Sequence, residues 1–304
     1  MSADNKNSVN YNKKRGNKLG FWFFETLLKY FGLSSAYFFL YFIAVYYLVF
    51  DKDAVLKSSN YIQLRFPNAG LFKRYYHAYM LFVSQGQQLI DRHIYTAKPE
   101  LFNITTNGND ELFKYINDSD KGIIILTSHF GNWLIGLETL KKFGNRQTNI
   151  LIRSDSNQAI QKLFREDMKK RINFIASESF LGGSVEILNA LDKGDIVTLT
   201  GDRHYGGKTV GIEFFGKTAY FPFSAFVFAS ARKCPVLFLN TVKTGRKNYE
   251  IFINKHVWPD VKKQKDSKEN QLKSYVKEFA EELERISKKY PYQCFLFNNV
   301  WKSE

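Results

Sequence analysis

The chain has 304 residues, enough to bury a core of ordinary size, and carries a formal net charge of +15 with a pI of about 9.5. That charge calls for an anionic partner, which a phospholipid surface, a phosphorylated or carrier-bound substrate or nucleic acid would each supply. Aromatic residues make up 17% and concentrate near the start, which favours a membrane surface over nucleic acid. The two cysteines, Cys234 and Cys294, have no metal or redox spacing and read as reduced, buried thiols; the absence of a P-loop, a GxGxxG or a zinc pattern argues against nucleotide and metal cofactors.

Residues 1–19 are polar and basic without hydrophobic periodicity, and read as a flexible tail. Residues 20–50, "GFWFFETLLKYFGLSSAYFFLYFIAVYYLVF", are interrupted only by Glu25 and Lys29, an i,i+4 pair able to neutralise itself. The uncharged part from Gly32 is about nineteen residues, near the lower limit for a bilayer span. Two readings follow. A span with Lys13, Lys14, Arg15 and Lys18 held inside would export everything after Phe50, whereas a helix or bent pair of helices lying in the leaflet would leave the rest in the cytosol.

Residues 51–304 read as a single domain, helical over 51–110, α/β over 111–260, with a C-terminal helix and aromatic end over 261–304. In the helical part, His77 and His93 lack a second metal ligand at suitable spacing and read as structural. Short apolar, β-branched runs at 122–128, 148–154, 195–202, 234–242 and 249–255 predict strands. Helical stretches lie between them: "WLIGLETLKKFG", "NQAIQKLFREDMKKR", "SVEILNALDKG" and "FSAFVFASARK". The alternation predicts an α/β fold with a largely parallel or mixed central sheet flanked by helices, and places chemistry at the carboxyl ends of strands.

His129 follows "GIIILTS" at such an end and is the first candidate for a general base. Asn132 is placed to cap a helix starting at Trp133, beside the imidazole. A base needs an orienting carboxylate, and two compete: Glu138, one turn beyond Leu134 but offset by about 6 Å, and Asp202, in "LTGDRHYGG" after another strand. Arg203 beside Asp202, and Arg153 with Asn157 in "IRSDSN", are candidates for holding anionic groups; His204 is an assisting candidate or a solvent-facing side chain. "FFG" (214–216) and "YFPF" (220–223) can line an acyl groove or fill a core.

The ordered set "SHFGNW", "IRSDSN", "LDKGDIVTLTGDRHYGG", "FFGKTAYFPFSAF", "ARKCPVLFL" and "YPYQCFLFNNVW" resembles the bacterial lipid A biosynthesis acyltransferases, the late-acylating branch of the lysophospholipid acyltransferase superfamily, from about Gly20 to Trp301. The resemblance implies a glycerolipid acyltransferase-like fold at the inner membrane, with the catalytic domain facing the cytoplasm, which supports the leaflet reading of residues 20–50. It implies transfer of a fatty acyl group from acyl carrier protein, or from acyl-CoA, to a hydroxyl of a membrane glycolipid. Donor and acceptor are then co-substrates, no cofactor is required, and the partners are acyl carrier protein and anionic lipid rather than nucleic acid. His129 matches the family's histidine, Arg153 and Asn157 its strand-end basic site, and Asp202 with Arg203 its Asp-Arg or Asp-Gln pair.

The family motif usually reads "HFGNWE", with an acid five places after the histidine; here Leu134 stands there. Either another carboxylate serves, Asp202 ahead of Glu138, or the chain is a catalytically silent lipid-binding or scaffold protein that keeps the fold. "SSNYIQLRFP" with "LFVSQGQQLIDRHIY", and "GDR", also resemble acyltransferases associated with aryl polyene or flexirubin pigment lipids, so a pigment lipid is a second candidate acceptor.

Overall fold

The structure is a computed structural model, and it describes residues 18–108, 110–153, 164, 169–178, 180–203, 208–261, 267–297 and 300–302. Helices α1 (Lys18–Tyr30) and α2 (Gly32–Phe50) form a bent pair, broken where Gly32 takes a φ of +74° that a side chain would resist. α2 is, among the described residues, the one helix long and apolar enough to cross a membrane. Its inner face, Leu33, Ala36, Tyr37, Leu40 and Ala44, repeats every three to four residues and is buried, while Phe38, Phe42, Val45, Tyr46 and Val49 stay exposed. The partner of that inner face is α4 (Leu71–Ala97), reached through α3 (Lys52–Arg65), which Asp51 caps by accepting the Ala54 N–H at 3.0 Å. The expected Glu25–Lys29 pair is replaced: Glu25 lies 3.7 Å from His93, and Lys29 sits over the Tyr30 ring.

The central sheet has seven strands, β1 (Asn103–Gly108), β2 (Ile123–Thr127), β3 (Thr148–Ile152), β4 (Ile172–Ala176), β5 (Ile196–Thr200), β8 (Val236–Lys243) and β9 (Asn248–Val257), in the order β1-β9-β8-β2-β5-β3-β4. Strands β8, β2, β5, β3 and β4 are mutually parallel; β9 turns back antiparallel on β8, and β1 follows β9. The fold is thus the expected α/β one with a mostly parallel sheet between helices. β2 is buried along its whole length, as a strand covered on both faces must be. Helices α5 (Asp110–Asn117), α6 (Trp133–Gly136), α7 (Ser184–Asp192), α8 (Ser224–Arg232) and α9 (Lys268–Lys289) are the other α-helices among the described residues.

Four strands escape the sequence reading. β1, "NITTNG", belongs to the sheet although it falls in the segment read as helical; it has one aliphatic side chain and alternates between exposed and half-buried. β4 pairs in parallel with β3. β6 (Thr209–Phe214) and β7 (Lys217–Pro222) form a separate antiparallel hairpin that carries the aromatic motifs considered as an acyl groove. Phe214, Phe221 and Phe223 are buried; Phe214 stacks against Trp301 and Phe221 meets Phe279, so these residues fill the core. The predicted helix "NQAIQKLFREDMKKR" falls largely outside the described residues.

Candidate active site

Strand register brings the two main candidates together. β2 and β5 pair in parallel with Thr127 opposite Thr200, so the residues two beyond each, His129 and Asp202, emerge side by side. The Gly201 N–H donates to the Thr127 carbonyl at 2.8 Å, carrying the pairing past the strand ends. The His129 backbone N–H donates to Asp202 Oδ2 at 2.9 Å, and His129 Nδ1 lies 3.0 Å from both carboxylate oxygens. Asp202 is fully buried, whereas the His129 side chain is 25% exposed. Burial alone would push the Asp202 carboxyl up, but the His129 ring, the Arg203 guanidinium and the His129 N–H outweigh it, and the net shift is downward. An ionised Asp202 fixes the proton on Nδ1 and leaves Nε2 as an acceptor, the tautomer a general base requires.

The loop after His129 is held by the C-terminal segment. Phe295 N–H donates to the His129 carbonyl and Gly131 N–H to the Gln293 carbonyl, each at 2.8 Å. Gly131 has a φ of +61°, and a Cβ there would run into the Thr241 carbonyl oxygen, so glycine is required. The amide of Gly131 is therefore committed to Gln293 and not open to a ligand. Two helix expectations also need correction. The helix at Trp133 is only four residues long and continues as a 3₁₀ helix over Leu137–Phe143, and Asn132 makes no side-chain cap. Asn132 is buried and donates from Nδ2 to the Gln88 carbonyl at 3.1 Å. It acts as a loop anchor.

Leu134 is buried in a core cluster with Ile125, Leu137, Leu140 and Leu239, so the fifth position after His129 faces the hydrophobic interior. Glu138 sits in the 3₁₀ stretch, and its side chain lies outside what the structure describes. Arg153, at the end of β3, faces Glu178 with Nε 3.5 Å from Oε1. Its expected companion Asn157 lies outside the described residues, as does His204. Arg203 follows Asp202 directly; one of its Nη atoms donates to the Phe295 carbonyl at 3.4 Å, and its Nε is buried with no hydrogen-bond partner among the described residues. A half-satisfied guanidinium beside the dyad suits an anionic group. His77 is structural as expected, with Nδ1 2.9 Å from the Tyr292 hydroxyl and its ring stacked on Phe66.

A buried polar cluster behind the site was not found from sequence. Lys243 Nζ lies 2.5 Å from Asp91 Oδ2, the Tyr249 hydroxyl donates to the same oxygen at 2.5 Å, and the Tyr37 hydroxyl donates to Oδ1. Lys243 also exchanges backbone hydrogen bonds with the Gln293 side chain, 2.8 Å in each direction. Thus α2, α4, β8 and β9 meet on one buried ion pair, one residue away from the peptide that accepts the Gly131 N–H. Burial pushes the Lys243 amine down, against the pull of Asp91. The available signal was Gln88 and Asp91, polar residues at i,i+3 on the apolar face of a helix. Both cysteines are free and buried, and burial pushes each thiol up to about 12. Among the described residues, no group of three or more His, Cys, Asp or Glu side chains is placed to hold a metal.

The structure is thus an α/β fold with a mostly parallel sheet, a histidine and a buried acid in contact at the ends of adjacent strands, and one N-terminal helix apolar enough to cross a membrane. Residues 15–303 match the family described as bacterial lipid A biosynthesis acyltransferase, and the chain belongs to that family, whose members are acyltransferases and typically membrane-associated. No curated protein sequence matches it.

Proposed function

We propose that the protein is an O-acyltransferase in which His129 is the general base and Asp202 its orienting carboxylate. Nε2 removes the proton from an acceptor hydroxyl, and the alkoxide attacks the carbonyl carbon of a thioester carried by acyl carrier protein or coenzyme A. The tetrahedral adduct collapses with cleavage of the C–S bond, and the imidazolium returns its proton to the leaving thiolate. Arg203, with Arg153 one strand further out, holds anionic groups of donor or acceptor. The acceptor is a membrane glycolipid of lipid A or pigment-lipid type. Neither cysteine is a nucleophile, because both are buried and hard to ionise.

The observation that carries this reading is the contact between His129 and a buried, ionised Asp202. It supplies His129 with a carboxylate that does not come from position 134, which favours an enzyme over a silent scaffold. The α1–α2 pair is proposed to lie in the cytoplasmic leaflet of the inner membrane. α2 is seated on α4 along one face, with the Tyr37–Asp91 bond on that face, which suits a half-immersed helix better than a free span. The test is acyl transfer by detergent-solubilised protein from labelled acyl carrier protein to a total lipid extract. Transfer by the wild type and its loss in His129→Ala are expected. An inert wild type, or a His129→Ala variant within tenfold of it, would overturn the assignment.

A further inference from the structure

The helical layer exposes apolar side chains at a second place, the corner where α3 meets the start of α4. Phe72 is 90% exposed, and Leu56, Leu71, Tyr75 and Tyr76 project around it. Between the two helices runs a cleft of about 150 Å³, with an apolar floor of Val55, Ile62 and Ala78 and with Arg74 on its lining. The first turn of α4 has no acidic residue, although helix starts favour one, and reads Leu-Phe-Lys-Arg instead. Arg74 Nε donates to the Ala69 carbonyl at 2.8 Å, and no carboxylate among the described residues pairs with Lys73 or Arg74.

This corner is continuous with the exposed face of α2. The two helices run antiparallel, since Tyr37 meets Asp91 and the Tyr79 hydroxyl reaches the Tyr41 carbonyl. Gly86 packs directly against the Leu40 side chain; Phe50 lies ten residues beyond Leu40 and Leu71 fifteen before Gly86, so the first turn of α4 reaches about 7 Å further along the same direction than the last turn of α2, with its exposed Tyr46, Val49 and Phe50.

We propose that the α3–α4 corner is a second membrane-inserting element, with Phe72 and Leu71 entering the acyl region of an anionic phospholipid surface and Lys73 and Arg74 meeting its phosphates. Aromatic side chains beside basic ones are the composition of a membrane interface. Two insertion points, α2 and this corner, fix the tilt of the body on the leaflet, which one helix alone does not. The inference rests on the membrane association proposed above.

The test is sedimentation of the full-length protein with vesicles of phosphatidylethanolamine and phosphatidylglycerol, and in parallel with phosphatidylcholine vesicles. Phe72→Asp and Lys73→Gln/Arg74→Gln are compared with Phe42→Asp on α2. Phe72→Asp is expected to weaken binding about tenfold with unchanged thermal unfolding, because the side chain is exposed. The double basic variant is expected to lose about tenfold of the preference for anionic vesicles. A wild type that binds neither vesicle overturns this inference together with the membrane reading. Weakening by Phe42→Asp alone overturns only the corner. If Phe72→Asp turns a dimer into a monomer while vesicle binding is unaltered, the surface joins two copies of the chain and the inference is wrong.

Discussion

Replacing Asp202 by asparagine tests the dyad most sharply, because the structure dictates which way the new amide must face. Asp202 receives two N–H groups of His129, the backbone amide at 2.9 Å and Nδ1 at 3.0 Å. Asparagine has one oxygen. The backbone N–H cannot turn away, so the oxygen stays with it, and the new NH₂ faces Nδ1 and donates to it. Nδ1 is 3.0 Å from both oxygen positions, but a proton on it would face the new NH₂, so the ring is driven to carry its proton on Nε2, where the base was. In the serine-protease template the same exchange costs about 10⁴ in turnover, or about 5.5 kcal/mol of transition-state stabilisation.

Folding should respond far less. The carboxylate sits fully buried, where desolvation opposes its charge, so asparagine relieves that cost while losing the attraction of His129 and Arg203. A net stability change within about 2 kcal/mol is expected. Single-turnover acyl transfer at saturating donor and acceptor, measured beside thermal unfolding, separates the two effects. A variant that keeps turnover within tenfold of the wild type would refute Asp202 as the orienting acid, and so would a loss of activity that merely follows unfolding.

Leu134→Glu restores the letter usual in the family, yet here it places a carboxylate in a hydrophobic cluster; it should destabilise by about 3 kcal/mol or more and raise no activity, as read by denaturant titration and transfer assay. The depressed Asp202 pKa stabilises the fold fully above the ordinary carboxylate value of 3.8, and this contribution is lost as pH falls below it; melting curves from pH 3 to 7 should therefore show a shallower acid limb in Asp202→Asn. Lys243→Met leaves the Asp91 charge buried without its cation and should cost about 3 to 5 kcal/mol, whereas adding Asp91→Asn, which removes that charge and keeps an acceptor oxygen for one of Tyr37 and Tyr249 while its NH₂ donates to the other hydroxyl, should recover part of it in a double-mutant cycle. Cys234→Ala and Cys294→Ala should each retain turnover within a few-fold, and a trapped acyl-cysteine in the wild type would contradict the direct-transfer mechanism.

The sequence carried the strands whose side chains are apolar on both faces, because continuous β-branched runs such as "IIILT" have few other uses. It did not carry β1, whose place at the sheet edge beside β9 asks for little hydrophobicity, nor the β6–β7 hairpin, where aromatic residues that fill the core spell the same letters as a ligand groove. His129 and Asp202 were both visible as strand-end polar residues. Their contact was not, since it depends on β2 and β5 being neighbours across 73 positions of chain. The Asp91–Lys243 pair was hidden for the same reason, joining residues 152 apart whose local contexts look like an amphipathic helix and an ordinary strand end.

The leucine at 134 becomes intelligible from the backbone outward. A carboxylate five residues after the histidine would have to reach back from a helix, but here that helix is one turn long before it tightens into 3₁₀ geometry, and its side chain at 134 points into the core. Asp202 instead comes from the adjacent strand, so its position relative to His129 is set by the same ladder that pairs Thr127 with Thr200. The His129 main chain is tied on both sides, its N–H to Asp202 and its carbonyl to Phe295. An acid fixed by sheet register needs no help from position 134, which is then free to pack. On the proposed mechanism Leu134 and Asp202 are two parts of one solution: the apolar residue closes the core under the loop, and the strand-borne carboxylate in contact with the imidazole is the one that would direct it.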